Sequence, residues 1–331
     1  MREHAAALLA SERRRAWLVL ALILGVMWIV PLAFGGFLLF LGATVAIYAT
    51  AALGLQIMVG LAGQLSLGHA AFLGVGAYVC LLLEKNFGMP FAIATFAGAF
   101  CAGFVGLLMA QLVRLSGIYF KIATFGFGII VFQIFTNWIA VTGGSTGVTN
   151  VPVITLFGFA LTKTIHLFVL AMAYLTLVYV LILRLTQGRI GRAFKALGQN
   201  EDAARSIGIP VTAYKMAVIV VGSVVAGLAG TLLPHIYKFL NPEGFSWLES
   251  LVLLIMITVG GLGSLPGAVI GAGLLVIIPE YLRDFAEYKM LIYGILLILS
   301  MALLPRGVAG AIAGVAERIG SRSPKTKAPA P

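Results

Sequence analysis

The residues with the greatest capacity for chemistry in this chain of 331 residues are few and far apart. His69, His166 and His235 each lack a second His, Asp or Cys at the spacing of a metal site, so we interpret them as packing or interfacial residues. The string GGSTG at 143–147 contains a serine, but no helix start follows it in a sheet context, as a nucleophile elbow requires. The sequence therefore argues against an enzyme embedded in a membrane, which would need such a group at depth.

Neither ATP binding nor proton coupling has a clear signature in the sequence. There is no Gly-Lys pair, which excludes the G-x-x-x-x-G-K-[ST] loop that cradles phosphates. Glu249 and Glu280 are the acids that we place nearest to apolar runs. Glu249 lies at the start of one run, and Glu280 lies near the end of the next. A proton-coupled transporter would place an ionisable residue nearer to the bilayer centre, although ion coupling through backbone carbonyls stays open. A stand-alone ion-coupled secondary transporter of small polar solutes is therefore the alternative function.

The elements that must position these residues are membrane-spanning helices. Hydrophobic residues make up 61% of the chain and charged residues 10%, with a mean hydropathy of +1.08. Soluble domains average about 25% charged residues. Apolar runs of about 18 or more residues recur along the chain, and each is long enough to cross a hydrocarbon core of about 30 Å as a helix. The sequence predicts an all-α polytopic membrane protein, and its 40 glycines fit that class.

We predict about ten transmembrane helices in one domain. Breaks at polar or Gly/Pro clusters place them near 16–35, 37–59, 69–83, 90–113, 118–139, 164–185, 214–238, 248–264, 266–282 and 289–304. The first run is too long for a signal peptide and lacks an A-x-A-like cleavage site, so we expect it to be retained. Residues 1–15 then form an N-terminal tail, 16–304 a single transmembrane domain, and 305–331 a basic C-terminal tail that we expect to be disordered.

The distribution of charge predicts the orientation. Most of the 22 Lys and Arg residues fall in segments that are cytoplasmic if the N-terminus is inside, and cytoplasmic loops carry such an excess. Both termini are then cytoplasmic, which requires an even number of spans and agrees with ten. Because the basic residues lie at span ends, the net charge of +11 does not indicate nucleic-acid binding.

Cys80 and Cys101 fall within apolar runs, where we interpret them as small buried hydrophobes.

Two glycine-rich strings are candidates for the translocation path. They cover 60–78 and 260–273, and both are predicted to lie near the cytoplasmic face. Irregular backbone at membrane depth is tolerated only within protein or along a cavity, so the strings are either breaks beside a path or sites of close helix packing. The candidate path or gate residues are Gly60, Gly63, Gln64, Ser66, Gly68, His69, Gly260, Gly261, Gly263 and Ser264.

The segment 186–213 is the longest polar stretch between spans, and the charge count places it inside. Asn200 is a good N-cap, Glu201 and Asp202 put negative charge in a first helical turn, and Gly208 suits a C-terminal stop. A helix of barely two turns is not stable alone in water, so it is either part of a solvated loop or docked in a partner's groove. Its apolar residues are Ala203, Ala204 and Ile207.

Six strings of this sequence resemble the motifs of a known family. The string GRAFKALGQNEDAARSIGIP is similar to the cytoplasmic coupling loop of bacterial ABC importer permeases. Together with GLAGQLSLGHAAFLGVGAYV, TGGSTGV, NPEGFSWLESL, GGLGSLPGAVIGA and PEYLRDFAEYKMLIYGILLIL, it resembles the branched-chain amino acid ABC transporter permeases of the LivM subtype, from about residue 45 to about residue 308. The resemblance implies an ABC importer permease fold in the bacterial inner membrane.

The resemblance also implies partners and a coupling site. The partners would be two ABC ATPase subunits, a second homologous permease subunit, a periplasmic substrate-binding protein and membrane lipid, with no nucleic acid. This chain would bind no cofactor, and ATP and Mg would be held by the ATPase subunits. The resemblance also implies a range of cargoes, since relatives of this permease type serve urea, short amides and other small carboxylates as well as branched-chain amino acids. The coupling helix that docks on the ATPase subunits would comprise Asn200, Glu201, Asp202, Ala203, Ala204, Arg205, Gly208 and Ile209.

In this family the coupling helix inserts into a cleft of the ATPase, so that closure of the ATPase pair drives alternating access. Asp202 stands where a strict Glu-Ala-Ala pattern has Ala. That departure affects the docking contacts and not the role of the helix. The segments 142–150 and 241–249 are predicted to face the binding protein on the outer side.

Overall fold

The structure is a computed structural model and describes residues 22, 24–29, 31–33, 35–115, 117–156, 158–281, 288–304 and 307–311. The predicted N-terminal tail, much of the predicted first span and residues 312–331 lie outside the described residues. Residues 307–311, which the sequence analysis assigned to a disordered tail, are helical. Gly307 lies so close to the backbone of Gly260 and Gly261 that a side chain would collide there, which shows that this segment is packed.

Almost all described elements are helices. In chain order they are α1 (Leu24–Ala33), α2 (Gly36–Leu55), α3 (His69–Phe87), α4 (Phe91–Ala110), α5 (Ile118–Asn137), α6 (Ile139–Thr142), α7 (Thr164–Gln187), α8 (Arg189–Gln199), α9 (Glu201–Ser206), α10 (Val211–Gly230), α11 (Leu233–Tyr237), α12 (Trp247–Gly260), α13 (Leu265–Tyr281) and α14 (Lys289–Leu303). A π-helix continues α2 over Gln56–Leu61. Short 3-10 turns occupy Gln111–Arg114, Gly144–Thr146 and Pro242–Phe245. Two short strands, β1 (Thr155–Leu156) and β2 (Phe159–Ala160), form an antiparallel hairpin with Leu156 opposite Phe159.

The helices confirm a polytopic membrane protein. Within the described ranges, six helical segments are long and apolar enough to cross a membrane: Gly36–Leu61, His69–Phe87, Phe91–Arg114, Ile118–Asn137, Thr164–Gln187 and Val211–Tyr237. Four shorter apolar helices overlap the other predicted spans: Leu24–Ala33, Trp247–Gly260, Leu265–Tyr281 and Leu291–Ser300. Each predicted span therefore coincides with an apolar helix, while the number of ten crossings and the cytoplasmic location of the termini stay predictions.

α2 is the central helix. It packs on α7, α10 and α13, and 78% of its most apolar window is buried, against 28% for α5. Its buried face is rich in small residues, such as Ala46, Ala49, Ala52 and Gly54, which let neighbouring backbones approach closely. At Gly54 a side chain would press on the carbonyl of Gly222 in α10. The core of the bundle therefore lies around α2 and α10, and α5 lies at its periphery.

The bundle has two ends with different contents. At one end, the α9 end, the loop 62–68 meets α8 and α9, and the π-helix that precedes this loop meets the loop 261–264. α3 and α10 begin near this end and run to the other, the α11 end, where the ammonium of Lys85 donates to the carbonyl of Thr149 at 3.0 Å. At this end a backbone bridge joins Val148 to Leu240, the residue that precedes the segment 241–249.

Candidate functional site

The segment 186–213 contains the short helix that its sequence predicts. Asn200 has an extended backbone, and its side-chain oxygen accepts hydrogen bonds from the backbone N–H groups of Asp202 and Ala203, both at 3.0 Å. This satisfies two of the N–H groups that a helix start leaves unpaired. The N-cap role of Asn200 is therefore confirmed, and the helix α9 has six residues.

Gly208 ends α9 in the predicted way. Its φ is +83°, a left-handed conformation that β-carbon sterics disfavour in other residues. The N–H of Gly208 donates to the carbonyl of Arg205 at 3.0 Å, and the N–H of Ile209 donates to the carbonyl of Ala204 at 3.1 Å. The chain then turns through Pro210 into α10. α9 is thus held between a side-chain cap and a glycine stop.

The three apolar residues of the α9 segment do not share one environment. Ala204 is buried with Leu197 and Val211 in a small cluster beneath the helix. Ala203 is exposed, and Ile207 is 73% exposed, so neither belongs to this cluster. The physical reason for Ile207 is that α9 ends at Ser206, so the helical spacing that relates residues 203 and 207 no longer applies.

The charged residues of α9 point in two directions. Asp202 and Arg205 are largely exposed and lie 3.5 Å apart, so their attraction is weak. Glu201 faces inward, where its Oε1 forms an ion pair with the ammonium of Lys215 in α10. The side chain of Lys215 is only 10% exposed and that of Glu201 is 41% exposed. The same Oε1 accepts a hydrogen bond from Nε2 of Gln64 at 3.4 Å.

The loop 62–68, which we call the first glycine loop, lies directly on α8. A side chain at Gly198 would collide with the carbonyl of Leu61, and a side chain at Gly63 would come within 3.4 Å of the Cα of Gly198. The close approach requires glycine at 198, whereas a Cβ at position 63 would make an ordinary van der Waals contact. The segment 186–213 and the first glycine loop are therefore in backbone contact.

The loop 261–264, which we call the second glycine loop, is joined to the π-helix at the end of α2. Nε2 of the fully buried Gln56 donates to the carbonyls of Gly261 and Ser264, both at 2.9 Å. A side chain at Gly60 would press on the backbone nitrogen of Gly263. The two glycine-rich strings, 200 residues apart by their first residues, thus meet at the α9 end of the bundle.

The glycine strings also contain positions that serve close packing. A side chain at Gly76 would overlap the backbone of Gly227 in α10, and one at Gly260 would overlap the carbonyl of Gly267 in α13. Most candidate path residues are buried within the chain, including Gln64, Ser66, Gly68, His69, Gly260 and Gly261. Gly63 and Gly263 are exposed. Close helix packing is therefore supported at Gly76 and Gly260, and the role of the strings in a translocation path stays a prediction.

Several buried polar atoms near the first glycine loop have no hydrogen-bond partner among the described residues. They are Oε1 of Gln56, Oγ of Ser66 and Nδ1 of His69. The other ring nitrogen of His69 lies 3.2 Å from the carbonyl of Ala51. Buried polar groups are normally paired, so these atoms are places where hydration or a change of conformation would gain hydrogen bonds. Within the described part of the chain, no three His, Cys, Asp or Glu side chains come together as a metal site.

A deeply buried acid–histidine pair was not predicted from the sequence. Span three was predicted to end at residue 83, but α3 continues to Phe87, so Glu84 lies within the helix. Oε2 of Glu84 lies 2.7 Å from Nε2 of His235 in α11, and both side chains are almost fully buried. The acids nearest to apolar runs are therefore not only Glu249 and Glu280. The available signal was that the predicted topology put Glu84 and His235 at the same end of the bundle.

α5 presents an unusual face to the exterior. Gln133 and Asn137 are exposed on it, one turn apart, and they line an open groove with Ile129, Ile130, Ile134 and Trp138. The groove has a volume of about 670 Å³. Amide side chains are costly against lipid, so this face is better suited to protein or water than to hydrocarbon.

Comparison with known proteins adds to this geometry. The model of a family described as branched-chain amino acid transport system / permease component matches residues 37–301. That range contains all of α2 except its first residue, every helix from α3 to α13 and most of α14. It also contains the whole segment 186–213 and both glycine loops.

Individual relatives agree with the family match. The chain is similar to the high-affinity branched-chain amino acid transport system permease protein LivM of Escherichia coli (strain K12), with 33% identity over 323 residues, 90% of this chain and 76% of the relative. LivM of Salmonella typhimurium is equally similar. The permease protein LivH of Escherichia coli (strain K12) is 27% identical over 297 residues, 82% of this chain and 92% of the relative. No solved structure matches the chain.

Proposed function

Because the chain belongs to the family of branched-chain amino acid transport system permease components, we propose that it is a transmembrane subunit of an ATP-driven importer for branched-chain or related amino acids. The observation that carries this proposal is the capped helix α9 between the amphipathic helix α8 and the apolar helix α10, at the end of the bundle where the two glycine-rich strings meet. A short rigid helix with an exposed outer face is suited to receive force from another subunit.

The partners follow from what the chain lacks and from its relatives. It has no phosphate loop, so ATP and Mg would be bound by two separate ABC ATPase subunits. LivM and LivH of Escherichia coli are both named as permease proteins of a high-affinity branched-chain amino acid transport system, which supports a second, homologous permease subunit. A periplasmic binding protein would deliver the cargo at the α11 end. The assembly would lie in a bacterial inner membrane, with ten spans and both termini in the cytoplasm.

The ATPase subunits would bind the outer face of α9. The exposed residues of α9 and of the turn that follows it are Asp202, Ala203, Arg205, Ser206, Ile207 and Gly208. Ile207 supplies an apolar contact at the C-terminal end of this polar face, which suits insertion into a groove. Glu201 and Ala204 face inward and would support the helix from behind.

The second permease subunit would cover the groove on α5. Gln133 and Asn137 would then face the cargo path between the subunits instead of lipid. Closure of the ATPase pair would displace α9 and shift the bundle between inward-open and outward-open states. The first glycine loop lies against α8 and α9, the second lies against the π-helix, and together they would serve as the gate on the cytoplasmic side.

The test is reconstitution of the complete assembly. Co-expression of this chain with the ATPase subunits, the second permease and the binding protein should yield a complex that carries radiolabelled leucine into proteoliposomes only with hydrolysable ATP. Uptake of leucine by this chain alone under an ion gradient would contradict the proposal and favour the secondary transporter. Competition by isoleucine, valine, urea and short amides would then define the cargo.

A further inference from the structure

The inward orientation of Glu201 separates it from the rest of α9. Its neighbour Asp202 has a side chain that is 92% exposed, whereas the carboxylate of Glu201 contacts two groups of the same chain. Both contacts are made by Oε1 of Glu201, so this oxygen is not available to an ATPase subunit. Its contacts instead lead into the bundle.

The first contact is with a nearly buried cation. Lys215 lies in the second turn of α10, and its side chain is 10% exposed. A buried ammonium group needs a paired carboxylate, since an isolated charge is strongly disfavoured away from water. Glu201 supplies that carboxylate from α9. The ion pair therefore ties the orientation of α9 to α10.

The second contact leads to α5 by way of the first glycine loop. Gln64 donates to Oε1 of Glu201 at 3.4 Å. Three residues further on, the N–H of Leu67 donates to Oγ1 of Thr124 in α5 at 3.1 Å. A side chain at Gly128 would come within 3.0 Å of the Cα of Gly68, so the loop and α5 are also in backbone contact. The loop is thus fixed at one end to α9 and at the other to α5.

We propose that Glu201 is a positioning residue that joins α9 to Lys215 and Gln64, and thereby transmits a displacement of α9 through the first glycine loop to α5. This inference rests on the proposed function. It assigns Glu201 to the inside of the permease and not to the contact with the ATPase subunits. α5 is the least buried of the six long apolar helices within the described chain. Its displacement would therefore break the fewest contacts with the rest of this chain.

The experiment uses the complete complex in proteoliposomes. For each variant, three quantities are measured: the ATPase subunits that co-purify, the rate of ATP hydrolysis, and the radiolabelled leucine taken up per ATP hydrolysed. Glu201→Gln and Lys215→Met should retain the ATPase subunits and ATP hydrolysis, while uptake per ATP falls by about 10-fold or more, within the usual range of coupling between sites. The charge-exchanged variant, with Glu201→Lys and Lys215→Glu together, should recover part of the uptake.

The matched control is Lys195→Met, which removes a positive charge from the exposed side of α8 in the same segment. It should leave uptake per ATP unchanged. Unchanged uptake per ATP in Glu201→Gln would overturn the proposal, and so would a loss of ATPase subunits in proportion to the loss of uptake, since Glu201 would then be a docking contact. If the unmodified chain binds no ATPase subunit at all, the proposed function fails and the inference fails with it.

Discussion

Glu84 and His235 form a buried pair in which each nitrogen of the imidazole ring lies within hydrogen-bond distance of an oxygen atom. Nε2 lies 2.7 Å from the carboxylate of Glu84, and Nδ1 lies 3.1 Å from the carbonyl of Thr231. A carbonyl can only accept, so Nδ1 donates to Thr231. Either Nε2 carries a second proton and donates to the carboxylate, or a protonated Glu84 donates to Nε2. In both cases one hydrogen bond joins Oε2 of Glu84 to Nε2 of His235, and this bond holds the end of α3 against α11.

Removal of one member of this pair should destabilise the protein strongly. Glu84→Ala or His235→Ala leaves the other group buried without its partner, at a cost of about 3–5 kcal/mol in the free energy of unfolding. The double variant should cost less than the sum of the two, because no polar group is then left alone. Thermal unfolding of the purified protein, followed by the reaction of a thiol-specific dye with Cys80 and Cys101, measures each change.

The control for this measurement is Lys85→Met. Lys85 lies next to Glu84 in the same helix, but its hydrogen bond to Thr149 is exposed. Its loss should cost no more than about 1 kcal/mol. Equal effects of Lys85→Met and Glu84→Ala would show that the buried pair does not fasten the two helices.

Two glycine positions distinguish close packing from open surface. Gly76→Ala places a methyl group against the backbone of Gly227 in α10, whereas a Cβ at Gly126 in α5 meets no atom within 4 Å. We expect Gly76→Ala to destabilise the protein by about 1–3 kcal/mol through overpacking. Gly126→Ala should stabilise α5 by up to ~1 kcal/mol, since alanine favours the helix. The same thermal unfolding assay compares them, and similar midpoints would contradict the close approach of α3 and α10.

The sequence predicted the local features of this protein and missed the long-range ones. Asn200 and Gly208 act on backbone groups within a few residues of themselves, so their roles follow from residue type and spacing. Glu84 and His235 are 151 residues apart, and Gln56 reaches Gly261 over 205 residues. Such pairs depend on how the helices pack, which hydropathy does not reveal. The inward orientation of Glu201 was missed for the same reason, because its ion pair with Lys215 depends on how α9 packs against α10.

The N-cap of α9 should control the local stability of the coupling helix. Asn200→Ala removes the acceptor for the N–H groups of Asp202 and Ala203, with a cost of about 1 kcal/mol. We expect hydrogen exchange at these two amides to accelerate about fivefold, since opening of the helix becomes easier by that amount. Asn200→Ser keeps an acceptor and should largely restore protection. Unchanged exchange in Asn200→Ala would mean that packing alone holds α9.

The glycine stop and the exposed face of α9 should both be required for binding of the ATPase subunits. Gly208→Val places a β-branched residue at a φ of +83°, at a cost of about 1–2 kcal/mol, and so disfavours the turn that orients Ile207. Asp202→Lys reverses a charge on the exposed face without disturbing a buried contact. Both variants should reach the membrane in normal amounts and yield fewer ATPase subunits on co-purification. Gly294→Val, at a glycine of α14 with open space around its Cβ position, is the matched control and should bind the ATPase subunits normally. If Gly208→Val and Asp202→Lys also bind them normally, α9 is not the site at which this protein meets its ATPase subunits.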